Sequence, residues 1–132
     1  MVKIVKNHHG QKKLIVNKDL KKGSCVVDLA PRAIYKDRDL RTIEITPNIH
    51  IDHPLARYSN HHCDPTCYID KTTKTIRALR DLTAGDEVSF DYLLNESVIS
   101  SSFYCNCGSK VCKGFIGTEH SKPSYLEPLP TT

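Results

Sequence analysis

Cys105, Cys107 and Cys112 place three thiols within a span of eight residues, with Gly108 and Ser109 between them. The two sulfurs of a Cys-x-Cys pair are badly placed to bond to each other, yet both can face one ion, and the glycine gives the chain room to turn between ligands. Structural zinc sites close with four ligands, so this spacing predicts a fourth thiolate from elsewhere in the chain. Cys63 or Cys67, in the segment Asn60-His61-His62-Cys63-Asp64-Pro65-Thr66-Cys67, can supply it. A lone cysteine reads as a small buried hydrophobe; the clustering is what favours a metal.

The same segment opens on Asn60-His61, ahead of the turn signalled by Asp64-Pro65. An amide side chain pairs a donor with an acceptor and suits an amino-carboxylate or a purine edge, and histidine offers the same pairing. Taken alone, the dipeptide is a polar turn. Further on, Val88-Ser89-Phe90-Asp91-Tyr92 alternates as a strand would, with Val88, Phe90 and Tyr92 on one face. Three core residues are the plain reading. A phenol at the end of such a face also sits at the edge of a core, where an aromatic wall and a hydroxyl can line a narrow channel.

Short β-type runs must position these groups: Leu14-Val16, Cys25-Val27, Ile43-Ile45, His50-Ile51, Tyr68-Ile69, Thr75-Leu79 and Val88-Tyr92. Long stripes of helical period are absent. The polar run Asp70 to Lys74 reads as a hairpin connection. Lys18-Asp19-Leu20-Lys21-Lys22-Gly23 is echoed by Arg80-Asp81-Leu82-Thr83-Ala84-Gly85, each glycine able to supply the positive φ of a turn that feeds a strand. Two copies make a reused turn, since a solenoid needs at least three.

With 132 residues, a single core is expected, burying roughly two-thirds of the extended chain's surface. No run approaches the ~20 apolar residues of a membrane span and no secretory h-region opens the chain, so an intracellular protein, cytoplasmic or nuclear, with reduced thiols and no membrane partner is expected. The net charge is +4, with seven lysines and one acid in the first 22 residues, and five acids without a base between Asp81 and Glu96. The basic start lacks interleaved aromatics or a binding motif, so no nucleic-acid partner is expected. The acidic stretch would attract a cationic peptide.

Together, in this order, the patterns resemble the SET-domain family of protein-lysine methyltransferases. Arg57-Tyr58-Ser59-Asn60-His61-His62-Cys63-Asp64-Pro65 is similar to the family's Arg-Phe-x-Asn-His-Ser-Cys-x-Pro segment. Gly85-Asp86-Glu87-Val88-Ser89-Phe90-Asp91-Tyr92 is similar to its Gly-Glu-Glu-Leu-x-Phe-Asp-Tyr segment, and Cys105 to Gly114 looks like its post-SET zinc motif. The resemblance implies a mainly β fold of several small sheets, with a C-terminal strand threaded beneath a preceding loop as a pseudoknot. It implies a SET domain over 1–100, a zinc-binding post-SET segment over 101–117 and a C-terminal tail over 118–132.

By the same resemblance the activity is S-adenosylmethionine-dependent methyl transfer to the ε-amine of a protein lysine. Tyr92 is the implied catalytic tyrosine, and Phe90, with Tyr35 aligned more loosely, lines the substrate channel. Asn60, His61, Tyr58, Arg57, Lys12 and Lys13 surround the cofactor, while Cys63 joins Cys105, Cys107 and Cys112 on Zn2+ and Cys67 is left unassigned. The implied partner is a protein with a basic lysine-containing segment, and a monomer or homodimer is expected. One departure stands out: Gln11-Lys12-Lys13 replaces the family's Gly-x-Gly, with Gly10 just outside. Side chains there would crowd the cofactor, and the competing expectation is a degenerate, non-catalytic SET module that keeps its zinc as a protein-interaction domain.

Overall fold

The computed structural model describes residues 1–117, so the C-terminal tail expected over 118–132 lies outside the described residues. The chain begins with an antiparallel pair, β1 (Val2–Lys6) and β2 (Lys12–Val16). The lysine-rich start thus contains a strand that the sequence reading did not include. Its lysines are exposed while Val2 and Val5 are half-buried, so the charges sit on a paired strand.

Two three-stranded antiparallel sheets follow. β3 (Cys25–Asp28) pairs with β9 (Thr75–Ala78), which pairs with β8 (Cys67–Asp70). β4 (Ile34–Tyr35) and β5 (Ile43–Thr46) flank β6 (Ile49–Asp52). The expected hairpin between β8 and β9 is present: Asp70 Oδ1 accepts the amides of Thr72 and Thr73 and so closes the turn, and Lys74 adopts φ 55°. The sheets share one core in which Leu14, Val16, Leu29, Ile51, Ile76 and Val88 are fully buried. Cys67 is in that core too, where burial keeps its thiol protonated.

The two echoed turns meet. Leu20 and Leu82 exchange both backbone hydrogen bonds, at 2.9 and 2.7 Å. Asp19 Oδ1 accepts the Ala84 amide at 3.0 Å, and Asp81 Oδ1 accepts the Lys22 amide at 2.8 Å. Each aspartate thus closes the other copy's turn, and Gly23 (φ 86°) and Gly85 (φ 98°) supply the left-handed residue that follows. Gly85 then bonds to the Val16 carbonyl, which directs the chain toward the site.

β7 (Asn60–His61) and β10 (Ser89–Phe90) run parallel, Asn60 opposite Ser89 and His61 opposite Phe90. β10 thus passes beside a segment almost thirty positions earlier, as a threaded C-terminal strand requires. The strand ends sooner than its alternation predicts. The Asp91 side chain accepts the Leu93 amide at 3.0 Å and caps a single helical turn, α1 (Tyr92–Asn95), which swings Tyr92 out of the strand. Beyond it β11 (Phe103–Tyr104) and β12 (Phe115–Ile116) pair around a small second core of Cys63, Ile99 and Ile116.

Candidate active site

The parallel pair β7/β10 brings the Asn-His and Phe-Asp-Tyr segments side by side. The His61 ring is nearly inaccessible, with its side chain 1% exposed. Its Nδ1 accepts the Tyr92 backbone amide at 3.0 Å, and its Nε2 lies 3.2 Å from Cys63 Sγ. Burial lowers the imidazole's proton affinity, although Asp91 opposes this, so the ring is neutral. A backbone N–H can only donate; the ring's one proton therefore belongs on Nε2 and points at the sulfur.

Tyr92 donates its hydroxyl to the Ser59 carbonyl at 2.8 Å. Burial lifts the phenol well above its ordinary range, with help from Glu96 and Glu87, so the hydroxyl keeps its proton. Around it stand Phe90, at 4.9 Å between ring centroids, His61 at 5.2 Å and Phe103 at 6.1 Å. These rings line a cleft of about 330 Å³ that also takes in Ile43, Arg57, Ser59, Asn60, Glu96 and Ile99. The volume suits an elongated side chain or part of a small ligand.

On the rim, Asn60 Nδ2 donates to Glu87 Oε2 at 2.9 Å, and Lys13 Nζ lies 3.9 Å from the other carboxylate oxygen. The Tyr58 ring is ringed by cations: Lys12 Nζ at 5.5 Å, Arg41 at 5.8 Å and Arg57 at 5.9 Å from its centroid. Lys12 and Lys13, within the segment that replaces the family's Gly-x-Gly, are therefore drawn aside onto Tyr58 and Glu87. Tyr35 is not part of this assembly. It is exposed on the edge strand β4, where its hydroxyl meets Lys74 Nζ at 3.3 Å, and it does not line the cleft.

Behind His61 the sulfurs of Cys63, Cys105, Cys107 and Cys112 all lie within 4.8 Å of one another. Tetrahedral zinc with Zn–S bonds of about 2.3 Å requires sulfurs roughly 3.8 Å apart. Cys63 and Cys105 are 3.8 Å apart. The Lys113 amide points at Cys63 Sγ at 3.2 Å, as a thiolate would demand, so the donor set fits the ion. Lys113 Nζ also pairs with buried Asp91, which ties the cysteine segment to the cap of α1.

The acids of the run each carry an intramolecular hydrogen bond. Asp81 and Asp86 close turns, Glu87 holds Asn60 and Asp91 caps α1. Glu96 alone of the run reaches the cleft. Residues that the sequence did not announce are Phe103, Glu87, Ser59 and Glu96. Ser59 was within reach, lying between two residues already singled out; Phe103 carries no local signal.

Parallel-paired β7 and β10, with a tyrosine, an imidazole and a four-cysteine cluster in sequence, define a SET-type domain. The family model described as "SET domain" matches residues 11–93, and the chain belongs to that family. It is 30% identical over 99 residues to the histone-lysine N-methyltransferase ASHR3 of Arabidopsis thaliana, a match covering 67% of this chain and 20% of that protein. It is also 39% identical over 72 residues to the methyltransferase flvH of Aspergillus flavus, covering 52% of this chain and 40% of the other. Among solved structures, KRYPTONITE in complex with mCHH DNA, an H3(1-15) peptide and SAH superposes with a TM-score of 0.65 at 18% identity. That match covers 86% of this chain and 29% of the other, and shows the shared fold. The chain thus spans a fifth to two fifths of these curated relatives.

Proposed function

We propose that this chain transfers a methyl group from S-adenosylmethionine to the ε-amine of a lysine in a protein substrate. The observation that carries this reading is the Tyr92 hydroxyl, held at 2.8 Å on the Ser59 carbonyl inside an aromatic cleft. Its proton is committed to Ser59, so the oxygen has lone pairs left to accept an amine N–H and aim the nitrogen.

S-adenosylmethionine, when bound, supplies the electrophilic methyl. Asn60, His61, Tyr58 and Arg57, with Lys12 and Lys13 beside them, would hold it at the rim. Neutralising a lysine of pKa ~10.4 at pH 7 costs about 4.6 kcal/mol. Phe90, Phe103 and the ring of Tyr92 disfavour the ammonium form, so desolvation and positioning supply most of the rate. Cys63, Cys105, Cys107 and Cys112 would hold zinc in a structural role, fixing His61 from behind.

Relatives carry names such as "Histone-lysine N-methyltransferase, H3 lysine-36 specific", in Schizosaccharomyces pombe among others. A basic, histone-like segment is accordingly the proposed substrate class. Calorimetry of zinc-loaded protein with S-adenosylmethionine, followed by transfer of labelled methyl to a lysine-peptide array, tests the reading. Binding and labelling are expected; protein that binds no cofactor would favour the degenerate module instead.

A further inference from the structure

We infer that Glu96 is the proton acceptor for the substrate ammonium, its carboxylate taking one N–H proton from the lysine inside the cleft that Phe90 and Tyr92 line. This rests on the methyl-transfer reading above and deepens it, because a lysine arrives charged and reacts only when neutral. Glu96 is half-buried, follows directly on α1 and lines the same cleft as the Tyr92 phenol.

Its carboxylate is held by one oxygen only. Oε2 accepts the Glu44 amide at 3.0 Å and Asn95 Nδ2 at 2.6 Å, whereas Oε1 accepts no hydrogen bond among the described residues. A clamped carboxylate with one oxygen to spare has the form of a positioned base. A second observation marks the cleft as built for a polar occupant. Ser59 is 4% exposed and lines the cleft, yet its Oγ has no hydrogen-bond partner among the described residues. A buried hydroxyl left unpaired in the wall of a cleft that Arg41, Arg57 and Asn60 also line points to a partner brought by the ligand.

The surroundings divide two acids between two tasks. Glu44 lies beneath Glu96 and receives Ser97 through both amide and hydroxyl, with Arg38, Lys71 and His50 within 3.5 to 3.8 Å. It is held ionised. Glu96 has no cation at ion-pair distance among the described residues; Glu44, His50 and the Tyr92 phenol are the titratable groups that act on it. Burial raises its proton affinity, and neighbouring environments that push two carboxyls apart mark acid and base roles. An ammonium–carboxylate pair is costly to bury, and passing the proton converts it to a neutral amine and a neutral acid.

In the step proposed, an ammonium N–H bond breaks and the proton bonds to Glu96 Oε1. The freed lone pair attacks the sulfonium methyl, the C–S bond breaks toward sulfur, and Glu96 returns its proton to solvent before the next turnover.

The test measures kcat/KM for a lysine peptide against pH in the wild type and in Glu96→Gln, with cofactor affinity measured alongside. A built-in base makes the wild-type profile level from neutral pH toward the lysine's own pKa of about 10.4. Glu96→Gln should lose about 100-fold near neutral pH, rise tenfold per pH unit and bind cofactor normally. A peptide carrying the more acidic amine of S-aminoethylcysteine should recover part of the loss. A wild-type profile that itself rises tenfold per pH unit overturns the inference whether or not the variant folds. Equal activity and equal profiles in the two proteins overturn it as well, while leaving methyl transfer intact; a wild type that methylates nothing defeats the underlying reading.

Discussion

His61 and Cys63 are joined through the imidazole Nε2 and the thiol sulfur, 3.2 Å apart, while the other ring nitrogen holds the Tyr92 amide. One side chain therefore connects the cysteine cluster to the backbone of the residue whose phenol lines the cleft. The cysteines fix not only the C-terminal segment but also the orientation of the ring between Asn60 on the rim and the aromatic cleft.

Metal removal is expected to reach the cofactor through that ring. Stripping zinc by chelation, or the change Cys107→Ser, should lower Tm and also weaken S-adenosylmethionine binding by about tenfold or more. Calorimetry well below the melting temperature checks this. An unchanged Kd in metal-free, folded protein would break the link drawn through His61.

Glu44 should give the fold a defined acid sensitivity. Burial alone would raise its pKa, but the Ser97 hydroxyl and amide, with Lys71 and Arg38, bring it below the ordinary value of 4.5. Its stabilising contribution is thus complete above that value and is lost as pH falls through the lowered folded-state pKa. Glu44→Gln should cost about 3 kcal/mol near neutral pH, and the gap should close in acid. Denaturant titrations of both proteins at neutral pH and near pH 3 provide the comparison; a constant difference would contradict the assignment.

The paired turns predict a symmetric effect. Asp19→Ala and Asp81→Ala each remove one carboxylate-to-amide bond that closes the other copy, and each should cost about 1 kcal/mol. Chemical denaturation of the single and double variants tests this. A cost confined to one of them would mean that the two turns do not support each other.

Most of the strands were legible as short runs of β-branched and apolar residues, as in β5, β8 and β9. β1 was obscured by its lysines, which alternation places on opposite faces of the strand, Lys3 with Val5 and Lys6 with Val2. The early end of β10 was hidden because a side-chain cap at Asp91, and not any loss of alternation, turns the chain. In the site, the cysteines were visible through type and spacing, whereas the roles of Asn60, His61 and Tyr92 rested on the resemblance of their segments to the SET family. Phe103 and Glu96 were not visible, because each reaches the cleft only through packing between distant segments. Tyr35 illustrates the reverse: a suitable residue type on an edge strand that faces away from the cleft.

The central claim is that Tyr92 aims a lysine amine within the cleft. Its most direct test compares Tyr92→Phe with the wild type in methyl transfer to the best peptide of the array, under saturating S-adenosylmethionine. The variant loses the Ser59 bond, so about 1 kcal/mol of stability should go with it. Cofactor affinity should be retained and kcat should fall at least 100-fold. Wild-type kcat in a folded, cofactor-bound Tyr92→Phe would contradict the account.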